Sequence, residues 1–180
     1  LGRLTLNPIP HIDLFMTILL PLMLIISGSP VIFGGAKPVP VDPFNLRDGR
    51  KDMALVSLAG PLTNLALAIL AALGIRTLLF FGQDAVMSDF FLSFLLYFLS
   101  ITLQLNLLLT IFNLLPIPPL DGSKVFAMLL PEKEAHAYLS LGNIGIFILF
   151  FLLFFPIGGF SLSDLIFNLL TFSQHLLLGQ

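Results

Sequence analysis

The sequence predicts an all-α polytopic membrane protein, with four to five transmembrane or re-entrant helices and a short extended segment at the membrane surface. Three observations carry this. Of 180 residues, 57% are apolar and only 10% charged, with a mean hydropathy of +1.04, whereas soluble domains are about 45–50% apolar and about 25% charged. The apolar residues fall into four charge-free runs, Leu14 to Ala36, Met53 to Ile75, Phe90 to Leu120 and Ala137 to Ser163. Each exceeds the roughly 20 helical residues that cross a bilayer core of about 30 Å. Prolines and glycines interrupt the runs at a few places, where chemistry is to be sought. The composition excludes disorder. A net charge of −2 offers no basic surface for nucleic acid. The absence of Cys removes disulfides, thiolate metal sites and a thiol nucleophile.

The run beginning at Leu14 is broken by Pro21 and by Ser27-Gly28-Ser29-Pro30, as in a kinked span or a re-entrant segment whose irregular backbone is covered by protein. The re-entrant form is favoured, since Arg3 and the basic loop 37–52 then share a side. Residues 34–46 carry Pro38, Pro40 and Pro43 alternating with Val39 and Val41. Proline removes donors and extends the residue before it, so this stretch reads as an edge strand or hairpin at the membrane surface. Lys37, Arg47, Arg50 and Lys51 in loop 37–52, with Lys124 and Lys133 in segment 121–138, mark both as cytoplasmic. Spans at about 53–75, 90–115 and 139–155 then place 76–89 and 156–164 on the opposite side. The weaker segment 162–178 returns across the membrane or lies along its surface.

Asp121 is the most telling polar residue. It follows 31 residues without a charge and the break Pro116-Ile117-Pro118-Pro119-Leu120. A carboxylate there is costly unless it binds something; the competing reading is an N-cap for a short helix over 123–130. Asn113 lies close enough to the break to line a site, whereas Gln104 and Asn106 read as interhelical amides. Ala59-Gly60-Pro61-Leu62-Thr63-Asn64 interrupts the second run. Gly60 and Pro61 permit close packing and a kink, and Asn64 faces a neighbouring helix as a polar clamp. His11 and Asp13 are too few for a zinc site and, at i,i+2, share no helix face. His136 and His175 read as solvated.

These stretches together resemble the site-2 protease family of intramembrane zinc metallopeptidases. The matching residues are Gly2-Arg3-Leu4-Thr5-Leu6-Asn7-Pro8, His11-x-Asp13, Ala36-Lys37-Pro38-Val39-Pro40-Val41 and Met53-Ala54-Leu55-Val56. They continue with Ala59-Gly60-Pro61-Leu62-x-Asn64 and Phe112-Asn113-Leu114-Leu115-Pro116-x-Pro118-Pro119-Leu120-Asp121-Gly122. Leu14 and Met16 depart from the pattern, which often has Pro and Gly after H-x-D. The resemblance implies one membrane-embedded peptidase domain over 1–180, with its core at 53–130. It implies Zn²⁺ held by Asp121 and by two histidines of an H-E-x-x-H helix, whose glutamate is the general base. No H-E-x-x-H is present; in the family it precedes the stretch that here starts at Gly2, so an upstream segment is expected, as the initial Leu1 also indicates. Without it, this chain is expected to be inactive. The resemblance further implies that Asn113 hydrogen-bonds the substrate or its oxyanion. Lys37, Pro38, Val39, Pro40 and Val41 are expected to hold a substrate strand, and Gly60, Pro61 and Asn64 to form a structural motif. The expected partners are a transmembrane protein substrate and the lipid bilayer, with no nucleic acid, in a bacterial plasma membrane. The alternative is a non-catalytic member that binds or regulates membrane proteins.

Overall fold

The computed structural model describes residue 9 and residues 12–28, 49–80, 82, 86 and 88–179. The chain divides into two units, Leu1–Asn45 and Leu46–Gln180, each taken by itself.

In the first unit, a π-helical stretch Leu14–Leu19 leads into α1, Leu20–Ile26. Asp13 starts it: its Oδ1 accepts from the Phe15 N–H at 3.0 Å, and its own N–H donates to Thr17 Oγ1 at 2.9 Å. Pro21 lies one residue into α1, but the helical chain is already continuous from Leu14 and Leu19 is itself helical, so Pro21 removes a donor inside the run, where the π-helical stretch gives way to α1. The helix ends at Ser27, as the Ser27-Gly28 break predicts. Leu14 to Ile26 rises at most about 20 Å, less than a bilayer core. His11, the extended stretch 34–46 and with it Lys37, Pro38, Val39, Pro40 and Val41 lie outside the described residues.

The second unit contains α2, Arg50–Phe80, α3, Phe90–Asn113, α4, Asp121–Met128, α5, Glu132–Ser140, α6, Gly142–Phe154, and α7, Leu162–Leu178. At 1.5 Å per residue, α2 and α3 rise about 46 and 36 Å. Among the described residues they are the helices long and apolar enough to cross a membrane, with the bent pair α5 and α6 a third candidate if it is one span. α2 and α3 run antiparallel. Pro61 meets Thr110 at one end, and Gly74 lies under Leu99 at the other, where an added Cβ would come within 2.9 Å of Leu99 Cδ1. Between these ends Ala68, Ala71, Ala72 and Ile75 of α2 pack on Leu103 and Leu107 of α3. Small side chains let two helix backbones approach where no aqueous hydrophobic effect drives them together. Asp89 caps α3, its Oδ1 accepting from the Leu92 N–H at 2.9 Å.

The last helices depart from the expected topology. The charge-free run Ala137 to Ser163 predicts a span at 139–155. Instead α5 takes its first residues and bends into α6 by 71°, leaving α6 with 13 residues, about 20 Å. Segment 156–164 is also not on the opposite side from the Asp121 break. Leu162 and Ile166 at the start of α7 pack with Leu115 and Leu149, Leu170 joins the α2–α3 core, and the Leu177 carbonyl accepts from Arg76 Nη1 at 3.5 Å. α7 therefore runs antiparallel to α3, ending beside the Arg76 end of α2. The cause is a tight turn in which Ile157 and Phe160 exchange hydrogen bonds of 2.9 and 2.8 Å. Its central residues, Gly158 and Gly159, hold φ of +57° and +85°, the left-handed pair that such a turn requires. With no Lys or Arg in this segment, the charge rule had nothing to read.

This topology is testable by impermeant thiol labelling, which is clean because the chain has no native Cys. Glu134→Cys is expected to label from the cytoplasmic side, and Gln83→Cys and His175→Cys from the other. His175→Cys labelling alongside Glu134→Cys would refute the direction of α7.

Candidate functional site

The site begins where α3 ends. Pro116, Pro118 and Pro119 cannot donate to a helix ladder, and the chain turns through short bonds instead: the Ile117 N–H to the Leu115 carbonyl at 2.8 Å, and the Leu120 N–H to the Ile117 carbonyl at 2.9 Å. Outside helices brace the turn. The Tyr138 hydroxyl of α5 donates to the Pro116 carbonyl at 2.7 Å, and its ring meets Phe126 edge-on at 5.4 Å. Burial pushes the Tyr138 phenol above its ordinary value of 10.0, so it stays a neutral donor through the physiological range. Gly145 of α6 lies directly under the Pro118 carbonyl, which a Cβ there would overlap.

Leu120 is extended, with φ −63° and ψ 157°, and is itself the N-cap of α4, without a side-chain cap bond. Asp121 is thus the first helical residue and not the N-cap of the competing reading, and α4 starts two residues before the expected 123. Gly122 follows because its backbone presses on the end of α3. A Cβ there would overlap the Leu114 carbonyl and lie 2.6 Å from the Leu115 oxygen. The buried Ser123 hydroxyl closes the turn on the Leu120 carbonyl at 2.6 Å. At the far end of α4, Arg50 of α2 donates to the carbonyls of Leu130 at 2.8 Å and Ala127 at 3.4 Å.

Pinned at both ends, α4 directs the Asp121 carboxylate at α2. Oδ1 pairs with Lys124 Nζ at 2.9 Å, each side chain 34% exposed. Oδ2 faces Gly60, 3.7 Å from where a Cβ would stand. The two motifs separated by some sixty residues of sequence therefore meet at one point. Pro61, the next residue of α2, is buried, and its carbonyl lies 3.2 Å from Thr110 Oγ1, which also reaches the Asn106 carbonyl at 2.8 Å. A cavity of about 260 Å³ adjoins the ion pair, lined by Met53, Pro118, Pro119, Ser123, Lys124 and Leu139 among others.

The remaining candidates separate. The amide of Asn113, half-buried at the end of α3, donates back to the Leu109 carbonyl at 2.9 Å. Asn106 does the same to Thr102 at 2.8 Å, satisfying itself within its helix and not across to another. Asn64, half-buried in α2, makes no hydrogen bond with any described residue, so the polar clamp predicted for it is not formed. His136 and His175 are exposed, as expected. Sequence reasoning missed Lys124, Tyr138, Gly145 and Arg50. The i,i+3 spacing of Asp121 and Lys124 is a readable signal; the other three act through contacts that no local pattern encodes.

Asp121 fits a metal as one carboxylate donor, with one oxygen fixed by Lys124 and the other turned to a residue without a side chain. A catalytic zinc takes three protein ligands plus a water, and no group of three His, Cys, Asp or Glu side chains that could hold a metal occurs among the described residues. The described residues therefore hold no complete zinc site.

The packing makes a steric prediction. Gly60→Ala places a methyl in ordinary contact and should fold with a near-unchanged melting temperature. Gly122→Ala and Gly145→Ala drive a methyl into backbone and should each lose about 1–3 kcal/mol in thermal or denaturant unfolding. Equal stability of all three variants would contradict the close approaches.

Residues 84–156 match the model of peptidase family M50. The Bacillus subtilis protein provisionally named zinc metalloprotease YwhC is 40% identical over 162 residues, which are 89% of this chain and 69% of that protein. Two proteins provisionally named zinc metalloprotease Rip2 are also similar. The Mycobacterium tuberculosis protein is 38% identical over 84% of this chain and 52% of its own length. The Mycolicibacterium smegmatis protein is 32% identical over 86% and 55%. This chain thus spans little more than half of the Rip2 proteins. No solved structure matches it. The identity to YwhC over more than two thirds of both sequences, together with the family match across the Asp121 turn, establishes that the chain belongs to peptidase family M50, the site-2 protease family.

Proposed function

We propose that this chain is the Asp121-bearing portion of an intramembrane zinc metalloprotease that hydrolyses peptide bonds in membrane-embedded protein segments of the bacterial plasma membrane. The observation that carries the reading is the Asp121 carboxylate held against Gly60 of the membrane-length helix α2. A carboxylate is rare in such surroundings unless it serves a ligand or a charge pathway.

Asp121 offers Oδ2 to the metal. Lys124 fixes Oδ1, as an outer-shell partner orients a ligating carboxylate. The other ligands, the histidine pair that the family resemblance implies, come from outside the described residues. Zinc, when bound, polarises the scissile carbonyl and acidifies water. The chain's own residues orient the peptide. Asn113 commits one N–H to the Leu109 carbonyl and keeps a second N–H for the substrate carbonyl as negative charge develops on it. Lys37, Pro38, Val39, Pro40 and Val41 hold the substrate as an added strand. That preserves its backbone hydrogen bonds after its helix unwinds, a necessity in a medium without water. Pro61 meets Thr110 of α3, and Gly60 clears the space beside Asp121.

The test uses the protein as encoded in full, in detergent or nanodiscs. Asp121→Ala should lose zinc, measured by elemental analysis, and with it the cleavage of a model single-span substrate, while still inserting in the membrane. Asn113→Ala should keep zinc and lose about 10²–10³ in rate, the usual cost of one oxyanion donor. Stoichiometric zinc in Asp121→Ala would remove the ligand assignment.

A further inference from the structure

We infer that Asn64 is a binding residue for the extended peptide backbone that the Asp121 site acts on, an inference that rests on the protease reading above. Its carboxamide has two donors and an acceptor, yet it bonds to no described residue. The other asparagines near the break do not share this state. Asn106 and Asn113 each donate to the carbonyl four residues back in their own helix, and Thr63, beside Asn64, does so to Ala59 at 2.7 Å. Gln104 and Asn168 are exposed, whereas Asn64 is half-buried. No buried side-chain nitrogen or oxygen among the described residues lacks a partner, so the Asn64 amide is not sealed in the interior and stands open to what binds beside α2.

Its position says what completes it. Asn64 stands four residues after Gly60, so both lie on one face of α2. In a helix the Cα–Cβ bond tilts toward the N-terminus, and a side chain covers the turn before its own. Asn64 therefore leans over Gly60, which has no side chain to fill the space, and Oδ2 of Asp121 lies 3.7 Å from where a Cβ of that glycine would stand. The hydrogen of the Thr110 hydroxyl on α3 is already directed at the Pro61 and Asn106 carbonyls and is not offered to the Asn64 carboxamide oxygen. A carboxamide beside an open glycine pairs with one peptide unit through N–H···O and C=O···H–N bonds. An unwound membrane segment has such units free, since its own helical bonds are broken.

The experiment compares Asn64→Leu and Asn64→Gln with wild type in the full-length protein. Zinc content, melting temperature and affinity for a fluorescent apolar peptide are measured, the last on zinc-stripped protein so that binding is read apart from catalysis. The peptide has about 20 residues, the length of a span, with a central proline to weaken its helix. Asn64→Leu should keep zinc, melt at or above the wild-type temperature, and bind the peptide roughly tenfold more weakly, as loss of a buried hydrogen-bonded pair predicts. Asn64→Gln should recover part of the affinity. Unchanged peptide affinity in Asn64→Leu overturns the inference, and so does a lower melting temperature with full affinity, which marks a helix clamp. A wild-type protein that holds no zinc and neither binds nor cleaves the peptide overturns the protease reading itself.

Discussion

The contact between Pro61 and Thr110 sets the register on which the rest of the second unit depends. Proline in the middle of α2 lacks an N–H, so a carbonyl one turn earlier loses its partner, and an apolar medium offers no water to replace it. The cost is tolerated because Pro61 is buried against α3 and its own carbonyl gains the Thr110 hydroxyl. That bond fixes which residue of α3 lies beside which residue of α2. Asn113 ends α3 three residues beyond Thr110, the prolines follow, and the chain returns to α2 at Gly60, immediately before Pro61. A slip of one residue between α2 and α3 would carry Asp121 past the glycine and against a side chain.

Glycine does different work at each place where another segment comes close. Gly74 lets α2 approach Leu99, Gly122 lets α4 press on the end of α3, and Gly145 admits the Pro118 carbonyl. These three are close approaches, where a methyl would meet atoms already in place. Gly60 is different: a methyl fits there at van der Waals distance from Oδ2. Packing of this fold therefore does not demand glycine at 60, and the space it leaves beside a carboxylate is free for a ligand or a substrate.

Much of this was legible in the sequence. The charge-free runs gave α2 and α3 nearly to their ends, and Pro116, Pro118 and Pro119 located the break before Asp121. The sequence reading gave Gly60 a structural role and Asp121 a metal role without placing them together, because nothing local to either residue encodes the contact between them. The N-cap reading of Asp121 failed on one residue: Leu120, without any capping side chain, holds that position. The fate of Ala137 to Ser163 was unreadable for a different reason. An apolar run that carries no charge fixes neither where a helix bends nor which way it returns. Those choices were made by Gly145 under Pro118 and by the Gly158-Gly159 turn. Asn64 was read as a clamp because amides in membrane helices usually find one another. Its neighbours satisfied themselves locally instead, and left it open.

Little in the fold asks for a carboxylate at 121. An acidic residue in the first turn of a helix gains about 0.3–1 kcal/mol from the helix dipole. An ion pair a third exposed, as that with Lys124 is, adds on the order of 0.2–1 kcal/mol. No N–H of α4 is capped by the side chain, and the turn that carries it is closed by Ser123, Tyr138, Gly122 and Gly145 without its help. Against that stands the general cost of a charge at the end of an apolar span. Structural residues of this kind are usually apolar or neutral. A carboxylate held in place by the fold but contributing little to it, with one oxygen turned to an open glycine, is free to take part in binding, as the protease proposal requires.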